Sequence, residues 1–158
     1  MQNGQNAAHE LPRQVVEDFN GNGLEARLGD AFRLSTVGED GWPHAAQLSV
    51  GEILAVSAVE LLVAVWPNSH TAGNLKRDGK LTLSLVHDGA LLEIRATARM
   101  AAEQQTALGL TVFRVTVAAV NEHRAKYAEV TSGVTFRLHD PQAVLARWRE
   151  QIAMLRAI

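Results

Sequence analysis

The chain has no cysteine. Disulfide scaffolds, thiolate metal sites and cysteine nucleophiles are therefore excluded, and a reducing, cytoplasmic setting is expected. It also lacks an excess of charge of one sign: 15 basic and 17 acidic residues leave a net charge of -2. Nucleic-acid binders carry a basic excess or stripe, so no nucleic-acid partner is expected. Long hydrophobic runs are missing too. The most apolar stretches, Ile53 to Val59 and Leu61 to Trp66, are separated by Glu60 and are too short to span a bilayer, so no membrane partner is expected. Met1 to Glu10 lacks the basic and apolar regions of a signal peptide and reads as a disordered tail. The 158 residues suit one domain, expected over 11–158, and a chain of this size buries roughly two thirds of its unfolded surface.

Alternation dominates what is present. Leu11, Val15, Val16 and Phe19 have helical spacing, with Pro12 in the first turn and Gly21 and Gly23 as the stop. From Ala31 the period becomes two. Phe32, Leu34 and Thr36 alternate with Arg33 and Ser35, and the Gly38-Glu39-Asp40-Gly41 turn leads to a second strand over His44 to Val50. Gly51 to Val59 reads as irregular or as a short strand pair, and Leu61 to Trp66 as a buried strand. After Pro67, Asn68 or Ser69 is positioned to cap a helix that ends at Asp78-Gly79. Leu81 to His87, an Asp88-Gly89 hairpin turn, and Leu91 to Met100 follow. Ala101 to Ala107 is ambiguous, Leu110 to Val120 is a long strand, and Tyr127 to Leu138 is expected as the last strand, with a bulge or bend at Gly133. Asp140 caps a helix over about 141–157, with Pro141 at its first position and Val144, Leu145, Trp148, Ile152 and Leu155 as its apolar stripe. The pattern is mainly β: six or seven antiparallel strands in a closed or nearly closed barrel with flanking α-helices.

Two stretches carry a further signal. Thr36 to Pro43 fits T-x-x-x-x-G-x-P at a hairpin. Ser69 to Leu81 fits S-x-x-x-x-N-L followed by a strand-starting apolar residue. In this order and spacing the two resemble the pyridoxamine 5'-phosphate oxidase-like superfamily over roughly Ala31 to Met100, which implies an FMN-binding split barrel. That superfamily includes flavin oxidases and reductases, deazaflavin-dependent reductases and haem-binding members, so the fold does not fix the activity.

The resemblance implies a homodimer holding flavin mononucleotide (FMN) in clefts at the interface. The phosphate would lie at the start of the Ser69 helix, near Ser69, His70 and Thr71, where free amides and the helix dipole favour an anion. The ring would run along Gln47, Leu48 and Ser49, with Val65, Trp66 and the Trp42-Pro43-His44 corner as walls. Family members that oxidise pyridoxamine phosphate supply an Arg from the second strand and an Arg-Lys pair after the helix Ser. The matching positions here are Ala46, His70 and Thr71. Classical pyridoxamine 5'-phosphate oxidase activity is therefore not expected, and deazaflavin, haem or no cofactor stay open as alternatives to FMN. The functions in view are an FMN-dependent oxidoreductase of a small molecule, a non-catalytic flavin-binding or sensing module, and a cofactor-free dimeric protein. No catalytic residue stands out. His9, His87, His123 and His139 show no metal-ligand spacing, and no metal is expected. Ser69 and Thr71 are also ordinary capping residues, and Lys76-Arg77 an ordinary helix end.

Overall fold

The computed structural model describes residues 8–101 and 108–158. The first described elements are helix α1 (Arg13–Asp18) and a 3-10 turn (Leu24–Arg27), followed by strands β1 (Asp30–Val37), β2 (Pro43–Leu48), β3 (Ile53–Ala55) and β4 (Glu60–Val65). Helix α2 (His70–Arg77) precedes β5 (Lys80–His87), β6 (Ala90–Met100), β7 (Thr111–His123) and a two-residue β8 (Val134–Thr135), and α3 (Pro141–Arg156) ends the chain. The sheet order is β2-β1-β5-β6-β7-β4-β3, with β8 on β1, and every pairing is antiparallel. The sheet curls into a half barrel. Its two edge strands, β2 and β3, are consecutive in sequence and joined by the short loop Ser49–Glu52.

Alternation builds the core. Leu34, Leu83, Ile94, Phe113 and Val115 point inward and are almost wholly buried, because a period of two puts every second residue on one face. The Asp88-Gly89 turn joins β5 to β6 with φ of 49° and 72°, the positive pair that a two-residue hairpin turn requires. Between Arg95 and Ala96 the register with β7 shifts, leaving Ala118 as an extra residue in β7. The His9 ring donates from Nδ1 to the Ala118 carbonyl at 2.9 Å, and Ala8 pairs with Val120. Ala8 and His9 are thus tied to the bulge and the strand beside it. The expected tail of residues 1–10 lies for 1–7 outside the described residues, and most of the ambiguous Ala101 to Ala107 stretch does too.

Two expectations need correction. Pro12 is the N-cap of α1 and lies before its first turn. Tyr127 to Leu138 is not a long strand: only Val134–Thr135 pair, with Asp30 and Ala31. From Phe32 onward β1 is already bonded to β2, and from Arg33 to β5 as well, so little of β1 is left for a further partner. Gly133 accordingly precedes a two-residue strand and marks no bulge.

Helix α3 starts where its residues dictate. The Asp140 side chain accepts from the Ala143 amide and Pro141 opens the first turn. Its stripe of Leu145, Trp148, Ile152 and Leu155 is buried. Trp148 lies on Gly51: a Cβ at that position would sit 2.1–2.5 Å from the Trp148 side chain. Only glycine lets the β2–β3 loop approach the indole so closely.

Candidate functional site

The site is built where α2 closes one end of the half barrel. On β1 and β2, Thr36 and His44 are cross-strand partners on the same face. On α2, His70 and Asn74 are one turn apart and share a face. The two pairs meet. Asn74 Nδ2 donates to Thr36 Oγ1 at 2.9 Å, and both side chains are buried. The His44 and His70 rings lie with centroids 5.5 Å apart and planes tilted by 53°. Arg77 donates to Asn74 Oδ1 at 3.0 Å and to the Val37 carbonyl at 2.6 Å, pinning the end of α2 to the hairpin. Thr36 of the first motif and Asn74 of the second are therefore bonded to each other, so these motif positions hold the β1–β2 hairpin to α2.

The first turn of α2 has a defined cap. Ser69 is extended (φ -77°, ψ 154°); its Oγ accepts from the Ala72 amide at 3.1 Å and donates to the Trp66 carbonyl at 2.7 Å. The Gly73 amide bonds to the Ser69 carbonyl. Among the described residues no acceptor reaches the amides of His70 and Thr71. Two donors at the positive end of the helix thus stay available for an anion. His70 is exposed and His44 half-buried, whereas Thr71 is buried, with 3% of its surface accessible.

At the other end of β2 the expected ring-contact residues diverge. Gln47 faces outward and is exposed, in line with exposed Pro43 and Ala45. Leu48 and Ser49 are buried. The Ser49 amide donates to Glu52 Oε2 at 2.8 Å, and the Ser49 hydroxyl accepts from the Gly51 amide at 3.2 Å. Burial pushes the Glu52 carboxyl up from its ordinary range; the Ser49 hydrogen bonds and the Arg147 charge pull the other way. Arg147 donates to Gln151 Oε1 at 2.9 Å, and Gln151 donates to the Gly51 carbonyl at 2.9 Å. The Arg147 guanidinium stacks 4.6 Å from the ring of exposed Trp66. Val65 is buried at the end of β4.

The structure thus brings Val65, Trp66, Ser69, His70 and Thr71 together at the β4–α2 junction and adds His44. Gln47 and Leu48 lie farther along β2, and Ser49 opens the loop after it, bonded to Glu52, which connects back to Trp66 through Arg147. Glu52, Arg147 and Gln151 were not legible as site residues. A carboxylate between Gly51 and Ile53 was the only available signal, and Arg147 read as the solvent side of the α3 stripe. Among the described residues no group of three or more His, Asp or Glu gathers as a metal site, and no helix is long and apolar enough to cross a membrane.

An antiparallel half barrel with a helix between its fourth and fifth strands defines the split-barrel class. A family model described as pyridoxamine 5'-phosphate oxidase matches residues 27–132. YclD of Bacillus subtilis (strain 168), an uncharacterized protein, is 36% identical over 144 residues, which span 90% of this chain and 94% of YclD. Two solved structures share the fold. A candidate pyridoxamine 5'-phosphate oxidase from Lactobacillus delbrueckii has a TM-score of 0.57 at 18% identity, covering 72% of this chain and 95% of its own. HupZ from Group A Streptococcus has a TM-score of 0.56 at 13% identity, covering 76% and 99%. The chain belongs to the pyridoxamine 5'-phosphate oxidase-like split-barrel family.

Proposed function

We propose that this protein binds FMN and serves as a flavin-dependent oxidoreductase of a small molecule, working as a homodimer in the cytoplasm. The observation that carries the reading is the first turn of α2. It offers the unpaired amides of His70, which is exposed, and of buried Thr71 at the positive end of a capped helix, beside the β1–β2 hairpin to which α2 is bonded. A phosphate there would accept from those two amides. Ser69 Oγ already serves the cap, so its part is to hold the turn in shape. Thr71 is buried, so its contribution is its amide. These contacts leave the phosphate without fixed side-chain cations.

The flavin ring would lie on the outer side of β2, whose small residues Pro43 and Ala45 leave room and whose Gln47 amide supplies both a donor and an acceptor. Trp66, held by Arg147, would form a wall. Bound flavin supplies the redox chemistry, and the protein orients it and tunes it through hydrogen bonds.

The test is the visible spectrum of the purified protein before and after FMN is added and excess removed. Retained flavin absorbance with shifted bands, in a particle of twice the chain mass by light scattering, is the expected result. No retained flavin and no quenching of flavin fluorescence at micromolar concentrations would overturn the reading.

A further inference from the structure

We propose that His44 and His70 form a two-imidazole clamp for a divalent zinc-like ion, independent of any flavin. The two residues are 26 positions apart in sequence and come from different elements, β2 and α2. Their ring centroids are 5.5 Å apart. A zinc ion bonds imidazole nitrogen at about 2.0–2.1 Å, which places it about 3.2 Å from each ring centroid. Two such rings would be about 4.5 Å apart for a right-angled pair of ligands, about 5.2 Å for a tetrahedral pair and about 6.4 Å for a linear pair. The observed separation thus falls close to the tetrahedral value that zinc prefers.

The surroundings leave the pair available. Among the described residues no hydrogen bond or ion pair engages either ring; the one histidine ion pair is His123 with Glu93. His70 is exposed and His44 half-buried, so an ion can enter and keep water or an anion in its remaining positions. The Asn74–Thr36 and Arg77–Val37 bonds fix α2 against the hairpin, so both rings are carried on a rigid frame. Imidazole suits zinc, nickel and copper, and affinity should follow the usual order with copper highest.

The experiment is a calorimetric titration of untagged protein with Zn²⁺ and Ni²⁺, and electron paramagnetic resonance with Cu²⁺, on the parent and on His44→Gln, His70→Gln and His87→Gln. One ion per chain is expected, with nitrogen coupling from two imidazoles in the copper spectrum. Either clamp variant should weaken binding on the order of 10²-fold, because the second ligand acts at high effective concentration; His87→Gln should leave it unchanged. Thermal melts of the variants without metal confirm that they fold. Absence of binding to the parent, or unchanged affinity or copper spectrum in either clamp variant, would overturn the proposal. Adding FMN is not required at any step, so the outcome is separate from that of the flavin reading.

Discussion

The Thr36–Asn74 hydrogen bond joins the two motifs, so breaking it should reveal what the motifs are for. Thr36→Val keeps the volume and removes the acceptor, leaving the buried Asn74 amide without its partner at 2.9 Å. Stranding such a group costs about 1–3 kcal/mol. In a domain of this size about 2 kcal/mol lowers the melting temperature by about 4–8 °C. Asn74→Leu strands the Thr36 hydroxyl instead and also frees Arg77, so it should cost at least as much. The double variant replaces both partners with apolar groups and should be less destabilised than the sum of the singles by about 0.5–3 kcal/mol. The assay is urea unfolding of the four proteins, compared at equal slope. Additivity within about 0.5 kcal/mol would refute the reasoning, since uncoupled residues are not held by a shared bond.

Other consequences follow from particular contacts. Gly51→Ala drives a methyl into the Trp148 side chain and should cost about 1–3 kcal/mol by overpacking; the loss, read from thermal melts, should shrink when Trp148→Leu is added. Glu52 has a folded-state pKa above its unfolded value, so the folded state holds its proton longer. Its contribution to stability should be most favourable in acid and decline as pH rises from the ordinary carboxylate range through the raised value. Glu52→Gln keeps an oxygen acceptor for the Ser49 amide, so melts across that range should show a flatter profile and a melting temperature at neutral pH no lower than the parent. A steeper decline in the variant would contradict this.

Much of the fold was legible because alternation and turn chemistry act locally. Asp88-Gly89, Asp140-Pro141 and the inward row Phe32, Leu34, Thr36 each announce their structure within a few residues. Tyr127 to Leu138 misled because its apolar residues satisfy a strand pattern, while pairing depends on whether a distant edge is free; most of β1 was already taken. The site was legible only in part. The α2 cap is local and was readable from Ser69. The His44–His70 pair, the Thr36–Asn74 bond and the Glu52–Arg147–Trp66 connection depend on which strands neighbour which helix, and no spacing along the chain encodes that.

The central claim is that an FMN phosphate is read by the first-turn amides of α2. His70→Pro tests it directly. Proline suits the first helical position, and the extended Ser69 before it is compatible, so the helix should persist while one amide donor is removed. His70→Ala loses the ring and keeps the amide. Affinities for FMN and for riboflavin, measured by flavin fluorescence on the parent and both variants, should differ on the order of 10²- to 10⁴-fold in the parent, the value of two charge-assisted hydrogen bonds. The difference should shrink in His70→Pro relative to His70→Ala. Equal affinities of the parent for the two ligands, or an undiminished difference in His70→Pro, would contradict the account.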